Sequence, residues 1–176
     1  TLLGNLPLDE VARIEKLAHH AWPSLERVTL HGWEVRYAHG ITRRANSVWP
    51  NQAQRDLPVG QTLEAVEALY HARNLPARFQ ICPAAQPVGL DEELEARGYR
   101  AVARTAVQTA PRTTLDRALA GTPAFNAEIA SQPNAAWWRC YAEADDVAPA
   151  SVAVRQAICA TIRPPVAYAS VVEMVM

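Results

Sequence analysis

The chain has 176 residues, of which 49% are hydrophobic and 20% are charged, and its formal net charge is −1. This composition is typical of a globular protein with a sufficient core, and the length suits one large domain or one domain with part of a second. The near-zero charge argues against a nucleic-acid-binding protein that relies on general basicity. No apolar run is long enough for a membrane span.

The cysteines and the first residues of the chain indicate a compartment. Three cysteines lie far apart, and no pair has the spacing of metal ligands: Cys82, Cys140 and Cys159. The start of the chain shows no charged segment followed by an apolar signal core. We therefore expect a cytoplasmic protein with reduced thiols, with no metal site and with neither a membrane nor a nucleic acid as its partner.

The first predicted element is an amphipathic helix over Asp9 to Ala21, where apolar residues recur at helical spacing and Pro23 follows as a stop. On this helix His19 and His20 are about 100° apart, so they cannot chelate one ion together. We expect both histidines at the surface or at the helix end. A short linker over Ser24 to His31 follows.

The stretch from Gly32 to Pro50 predicts a β-hairpin. Its first arm runs from Trp33 to Ala38, and Gly40 supplies a residue that tolerates positive φ in the turn. Its second arm runs from Ile41 to Trp49 and ends at the proline. The apolar face of the first arm consists of Trp33, Val35 and Tyr37.

The second arm carries polar residues on both faces, which is unusual for a simple hairpin. In one interpretation, Arg44 and Asn46, or Arg43 and Ser47, hold an anionic or polar ligand. In the other, these side chains tie the strand to neighbouring loops and helix ends, since most buried polar groups are satisfied internally. Both interpretations remain open from the sequence.

Four further elements are predicted before residue 111. They are a helix over Thr62 to Arg73, a strand over Arg78 to Cys82, a helix over Asp91 to Arg97 and a strand over Arg100 to Thr109. Helices and strands thus alternate with a hairpin near the start. This order predicts an α+β fold with a mixed sheet.

After residue 111 the chain becomes rich in alanine and proline. Helices are predicted over Thr114 to Ala120 and Ser151 to Ile162, and an apolar strand over Val166 to Met176. An aromatic cluster is expected on a helix between them, either as packing or as a stacking site: Trp137, Trp138 and Tyr141. Because an exposed apolar edge strand invites aggregation, we expect that the protein is truncated or that a partner covers the final strand.

One string in the predicted hairpin carries a family resemblance. The residues Thr-Arg-Arg-Ala-Asn-Ser-Val at 42–48 resemble the amino-terminal half of tandem-domain GNAT proteins, the acyl-CoA-dependent N-acetyltransferases. The string Leu-Asp-Glu-Glu-Leu-Glu-Ala-Arg-Gly-Tyr-Arg at 90–100 resembles the late helix and following strand of a GNAT fold. The resemblance covers about residues 8 to 110 well and the remainder thinly.

The resemblance implies a fold, an activity and a cosubstrate. The fold would be α+β, with a GNAT-like central mixed or antiparallel sheet flanked by helices. Residues 1–111 would form a degenerate amino-terminal GNAT-like domain, and residues 112–176 the first part of a second one. The activity would be transfer of acetyl from acetyl-CoA to the amine of a small molecule or peptide, and the partner over the final strand could be a second copy.

The cofactor loop that the resemblance implies is missing from the sequence. The family cradles the pyrophosphate on a loop with the pattern Arg or Gln, two residues, Gly, one residue, Gly or Ala, and no such string is present. Two hypotheses follow. In the first, the chain is the non-cofactor-binding half of an acetyltransferase, and its candidate substrate-binding residues are Arg44, Asn46 and Tyr37. In the second, it is a non-catalytic GNAT-like module that binds a ligand or partner.

Overall fold

A computed structural model describes residues 6–52, 57–122, 127–144 and 147–171. Within these ranges helices and short antiparallel sheets are mixed, which confirms the predicted α+β class. The first half contains α1 (Leu8–Ala21), β1 (Glu26–Leu30), β2 (Trp33–Tyr37), a 3₁₀ helix (Arg44–Asn46), β3 (Val48–Trp49), α2 (Val59–His71) and α3 (Leu90–Ala96). The second half contains α4 (Arg112–Leu119), β4 (Ala127–Ala130), α5 (Ala135–Ala144), α6 (Pro149–Ala160) and β5 (Tyr168–Val171).

The first sheet has three antiparallel strands in the order β1-β2-β3. The first predicted arm is confirmed as β2, but its hairpin partner precedes it rather than follows it. The turn between the two strands is made by His31 and Gly32, with φ of 48° and 92°. The predicted linker is therefore the strand β1, which the sequence does not reveal because nearly all of its side chains are exposed.

The predicted second arm is wrong over most of its length, since only β3 pairs with β2 there. Between these strands the chain turns through positive φ at His39, Gly40 and Thr42 and then through the 3₁₀ helix. The physical reason is Asn46, whose side chain bonds to the backbone of this turn and competes with a sheet ladder.

Two other predicted strands differ from the structure. Over Arg78 to Cys82 the pairing is one isolated parallel bridge between Phe79 and Val48. Residues 100–109 form no strand, and every residue from 100 to 122 is exposed, because no strand among the described residues pairs with this segment to supply the hydrogen bonds that it needs. The short strand β4 was not predicted. It pairs with β5, and the remainder of the predicted final strand, 172–176, lies outside the described residues.

The helices follow the predicted periodicities closely. α1 and α3 have nearly the predicted bounds, and Gly98, with φ of 86°, follows the end of α3. α2 begins three residues before its predicted start, so Thr62 is a buried residue inside the helix rather than its cap. No helix among the described residues is long and apolar enough to cross a membrane.

The main core lies between the three-stranded sheet and the helices α2 and α3. It is formed by Trp33, Val35, Tyr37, Val48, Leu63, Val66, Tyr70, Leu90 and Leu94. A second cluster joins Ala38 and Ala45, which flank the turn after β2, to Ile158 of α6. The two halves of the chain are thus in direct contact at this turn. In the second half, the predicted aromatic cluster packs against Tyr168 of β5.

Candidate functional site

A charged side chain lies fully buried on the face of β2 opposite the main core. The residues of β2 alternate, so Arg36 lies on the other face from Trp33 and Val35. Its Nε donates to the carbonyl oxygen of Ser47 at 2.9 Å, and its Nη2 donates to Ser47 Oγ at 2.6 Å and to Gln80 Oε1 at 2.8 Å. The guanidinium therefore fixes the backbone that follows the 3₁₀ helix.

The remaining guanidinium nitrogen of Arg36 contacts α1. Arg36 Nη1 lies 3.0 Å from His19 Nδ1, and because arginine can only donate, His19 Nδ1 must accept. The ring proton is then on Nε2, which lies 2.9 Å from Glu34 Oε2. The imidazole also stacks on Trp49, with ring centroids 4.2 Å apart. His19 lies in the last turn of α1, as expected for a helix-end residue, but it is buried rather than at the surface, because it bridges α1 and β2.

Two carboxylates balance the buried guanidinium. The hydrogen bond from His19 holds the pKa of Glu34 below its ordinary value. On the other side, Gln80 Nε2 donates to Glu15 Oε2 at 2.7 Å. Burial lowers the pKa of Arg36 to about 10, so it remains a cation at neutral pH. We call these connected side chains the Arg36 network: Glu15, His19, Glu34, Arg36, Ser47 and Gln80.

The Arg36 network is a means of holding the chain in place rather than a catalytic device. Both ring nitrogens of His19 face protein groups, so this imidazole has no free lone pair with which to accept a proton from a substrate. The sequence signal for the network is the charge of Glu34 and Arg36 on the polar face of β2. Sequence reasoning missed it because such alternation is also typical of a solvated strand face.

Next to the Arg36 network lies a turn organised by one amide. We call residues 38–46 the Asn46 loop. Asn46 is 1% exposed, and its Oδ1 accepts from the backbone N–H groups of Ala38 at 2.8 Å and Gly40 at 2.9 Å. Its Nδ2 donates to the carbonyl oxygens of Ile41 at 2.5 Å and Thr42 at 2.8 Å. One buried side chain thereby fixes the conformation of the entire loop.

The Asn46 loop presents two arginines at the surface. Arg43 and Arg44 are exposed, and neither guanidinium has a hydrogen bond or ion pair with any residue that the structure describes. The backbone beneath them is held, since Ser47 Oγ donates to the carbonyl of Arg44 at 3.0 Å. On the other side of the loop, Trp22 Nε1 donates to Thr42 Oγ1 at 3.2 Å.

The third predicted substrate-binding residue, Tyr37, lies on the opposite face of β2. Its ring is 3% exposed and packs 5.0 Å from the ring of Tyr70, and the Cζ of Arg73 lies 4.0 Å from its centroid. Burial raises the pKa of its hydroxyl, which has no hydrogen-bond partner among the described residues. Asn46 and Arg44 thus belong to one loop, while Tyr37 belongs to the main core. A substrate-binding role for any of the three stays a prediction.

Other sites offer less chemistry. A cavity of about 370 Å³ lies between α6, β5 and residues 131–132, and its lining includes Cys159 and Tyr168. Burial raises the pKa of the Cys159 thiol, which disfavours the nucleophilic thiolate. Among the residues that the structure describes, no group of three His, Cys, Asp or Glu side chains could hold a metal ion.

Comparisons with known proteins identify the family. The model of the family described as "Probable histone acetyltransferase Rv0428c C-terminal" matches residues 9–175. A protein of Bacillus subtilis (strain 168), named "Uncharacterized N-acetyltransferase YobR", is 30% identical over 130 residues, which are 74% of this chain and 51% of that protein. The chain thus spans about half the length of the curated relative that it matches. No solved structure matches the chain.

Proposed function

This chain belongs to the GNAT-type acetyltransferase family whose model it matches over residues 9–175, and we propose that the protein transfers acetyl from acetyl-CoA to an amine. The family match carries the proposal, and the N-acetyltransferase named as its relative supports it. The acceptor would be the amine of a small molecule or of a peptide. A peptide lysine is in keeping with the histone named in the family description.

The reaction makes definite demands on the protein. The neutral amine attacks the thioester carbonyl carbon, a C–N bond forms, the C–S bond breaks, and coenzyme A leaves as a thiol. The protein must accept the proton of the amine and stabilise the oxyanion. We assign both tasks, and the binding of the pyrophosphate, to residues outside these 176, since the sequence has no Arg/Gln-x-x-Gly-x-Gly/Ala string and the relative is about twice as long.

Within that scheme we assign the acceptor side to this chain. Residues 1–111 would be a degenerate GNAT-like domain, and residues 112–176 the start of a second one. Arg44 and Tyr37 would line or support the acceptor site, with Asn46 holding the loop that carries the arginine. The contact of Ile158 with Ala38 and Ala45 supports a shared role for the two parts. We propose the cytoplasm as the location.

A partner surface is proposed in the second half. Residues 100–122 are exposed throughout, although they include the helix α4, and a helix this short is marginal in water without packing. Ile129 and Val171 on the β4–β5 sheet are 71% and 62% exposed. We propose that a second copy or another polypeptide segment covers this surface.

The alternative is a non-catalytic GNAT-like module that binds a ligand or partner. The missing cofactor loop favours this alternative for the chain taken alone. In that case the exposed arginines of the Asn46 loop would still bind a ligand, but no acetyl transfer would accompany it.

The intact mass of the natively expressed protein, measured together with its thermal shift on adding acetyl-CoA, tests the proposal. A ligand that binds only native protein raises the melting temperature by mass action. We expect a mass above that of the 176 residues and a saturable rise in melting temperature. A mass equal to that of the 176 residues with no rise would favour the non-catalytic module.

A further inference from the structure

The Asn46 loop has a charge that nothing in the described structure balances. We propose that Arg43 and Arg44, with the backbone N–H groups beneath them, form a binding site for an anionic group, a phosphate or a carboxylate. This inference deepens the proposed function and rests on it for the source of that group, which would be either coenzyme A or the acceptor.

Electrostatics favour an anion at the Asn46 loop. The other exposed arginines near the first sheet have carboxylate partners, as in the pairs of Arg27 with Glu34 and of Arg73 with Glu26. Arg44 has none among the described residues, and its charge acts on the buried Arg36, where it helps to lower the pKa. Two like charges therefore repel across the base of the loop, and an anion bound at Arg44 would reduce that repulsion.

The Asn46 loop is also preorganised by its own hydrogen bonds. Two non-glycine residues of the loop, His39 and Thr42, have positive φ of 51° and 61°, which is an unfavourable conformation for such residues. The conformation is imposed by Asn46 from within and by the Trp22 and Ser47 contacts from outside. Strain that is held so firmly at an exposed position is a frequent mark of a binding loop.

The backbone of the Asn46 loop adds N–H donors to those of the two arginines. Thr42, with φ of 61°, is followed by Arg43 in the right-handed helical region, with φ −67° and ψ −44°. Successive left-handed and right-handed residues turn their N–H groups toward one side, which creates a concavity for anions. The N–H groups of Thr42 and Arg43 have no acceptor among the described residues. The guanidinium groups of Arg43 and Arg44 belong to the same loop, and their planar forks match the geometry of carboxylate or phosphate oxygens.

The test uses a double variant, Arg43→Gln with Arg44→Gln, which keeps most of each side-chain stem and removes both charges. The matched control is Arg100→Gln with Arg104→Gln, since these arginines are also exposed and without an ion pair among the described residues. Melting temperature is measured against inorganic phosphate and against citrate, with sodium chloride added to hold the ionic strength constant.

We expect a saturable rise in melting temperature for the unmodified protein and for the control variant, and a loss of that rise in the Arg43/Arg44 variant. Nitrogen NMR shifts of the arginine Nε atoms should move with the same saturation curve, which a merely structural loop would not show. An equal response of all three proteins, or a response without saturation, would overturn the inference.

The source of the anion is distinguished with two further probes. If it is the 3′-phosphate of coenzyme A, the double variant weakens binding of coenzyme A by roughly tenfold but leaves binding of dephospho-coenzyme A, which keeps the pyrophosphate and lacks only that phosphate, unchanged. If it is a carboxylate of the acceptor, the double variant raises KM for a carboxylate-bearing amine and leaves coenzyme A binding unchanged. If the variant loses phosphate binding but the unmodified protein transfers no acetyl group, the anion site is retained and the proposed function is rejected. If the unmodified protein transfers acetyl and the variant has unchanged ligand binding and unchanged KM, the proposed function is retained and the anion site is rejected.

Discussion

At the scale of single residues, the candidate site depends on two buried polar side chains that face in different directions. Asn46 satisfies the backbone of its own loop, and Arg36 connects that loop to α1 and to Gln80. Buried polar groups stabilise a fold only while their partners remain in place. Removing either side chain should therefore cost much more than removing an exposed polar residue.

Asn46→Ala provides the sharpest test of this idea. The change leaves the buried N–H of Ala38 without its acceptor, so we expect a loss of about 2–4 kcal/mol in the free energy of unfolding, measured by urea denaturation. Asn134→Ala is the control, because Asn134 is exposed and its side chain makes one hydrogen bond within the described part of the chain, accepting from the N–H of Trp137 at 2.8 Å. It should cost about 1 kcal/mol. Equal losses would contradict the role assigned to Asn46.

The lowered pKa of Glu34 predicts that the free energy of unfolding depends on pH. Its pKa in the folded protein lies below the ordinary value of 4.5 because of the hydrogen bond from His19. A depressed carboxyl pKa contributes stability that is fully present above the ordinary value and is lost as the pH falls through the folded value. The difference in unfolding free energy between the unmodified protein and Glu34→Gln should therefore shrink as the pH falls below 4.5. A difference that is constant across this range would contradict the contact of His19 with the Glu34 carboxylate.

At the scale of elements, the spacing of apolar residues predicted the helices and the strand that pack against the core. α1, β2, α2 and α3 each bury a regular set of side chains or carry a clear stop, and their places follow from the sequence. β1 could not be predicted because its side chains are exposed, and its identity depends on pairing with β2. The prediction of the second hairpin arm was wrong for another reason. The hydrogen bonds of Asn46 depend on contacts that no spacing rule expresses.

In the candidate site too, features set by neighbouring residues could be predicted from the sequence, and features set by distant contacts could not. The exposed charge of Arg43 and Arg44 can be read directly from the sequence. The burial of His19 could not be predicted, since it depends on the approach of α1 to Arg36 and Trp49. A helix-end histidine has the same local pattern whether it is buried or solvated.

The docking of α6 onto the Asn46 loop gives a prediction about elements. Ile158 is fully buried against Ala38 and Ala45, so Ile158→Ala should cost about 2–4 kcal/mol by removing apolar contacts and leaving a cavity. Leu115→Ala on α4 is the control, because Leu115 is 50% exposed, and it should cost less than about 0.5 kcal/mol. Urea denaturation followed by tryptophan fluorescence measures both. A small loss for Ile158→Ala would mean that the two halves are not coupled.

At the scale of the whole molecule, burial is unevenly distributed. The main core gathers residues from Trp33 to Leu94, whereas residues 100–122 are exposed throughout. The chain spans about half of its curated relative, and its sequence lacks the cofactor loop that the family resemblance implies. These facts are what we expect if, as proposed, the chain supplies the Asn46 loop and a partner surface to a longer acetyltransferase.

An assay of acetyl transfer is the decisive experiment for the proposed function. The natively expressed protein is incubated with acetyl-CoA and a panel of amines that includes a lysine peptide, and thiol release is followed together with the mass of the amine. We expect acetylated product that requires both acetyl-CoA and amine, with kcat/KM reduced by roughly tenfold in the Arg43→Gln, Arg44→Gln variant. Folded protein of full native length that acetylates none of the amines would contradict the proposed function.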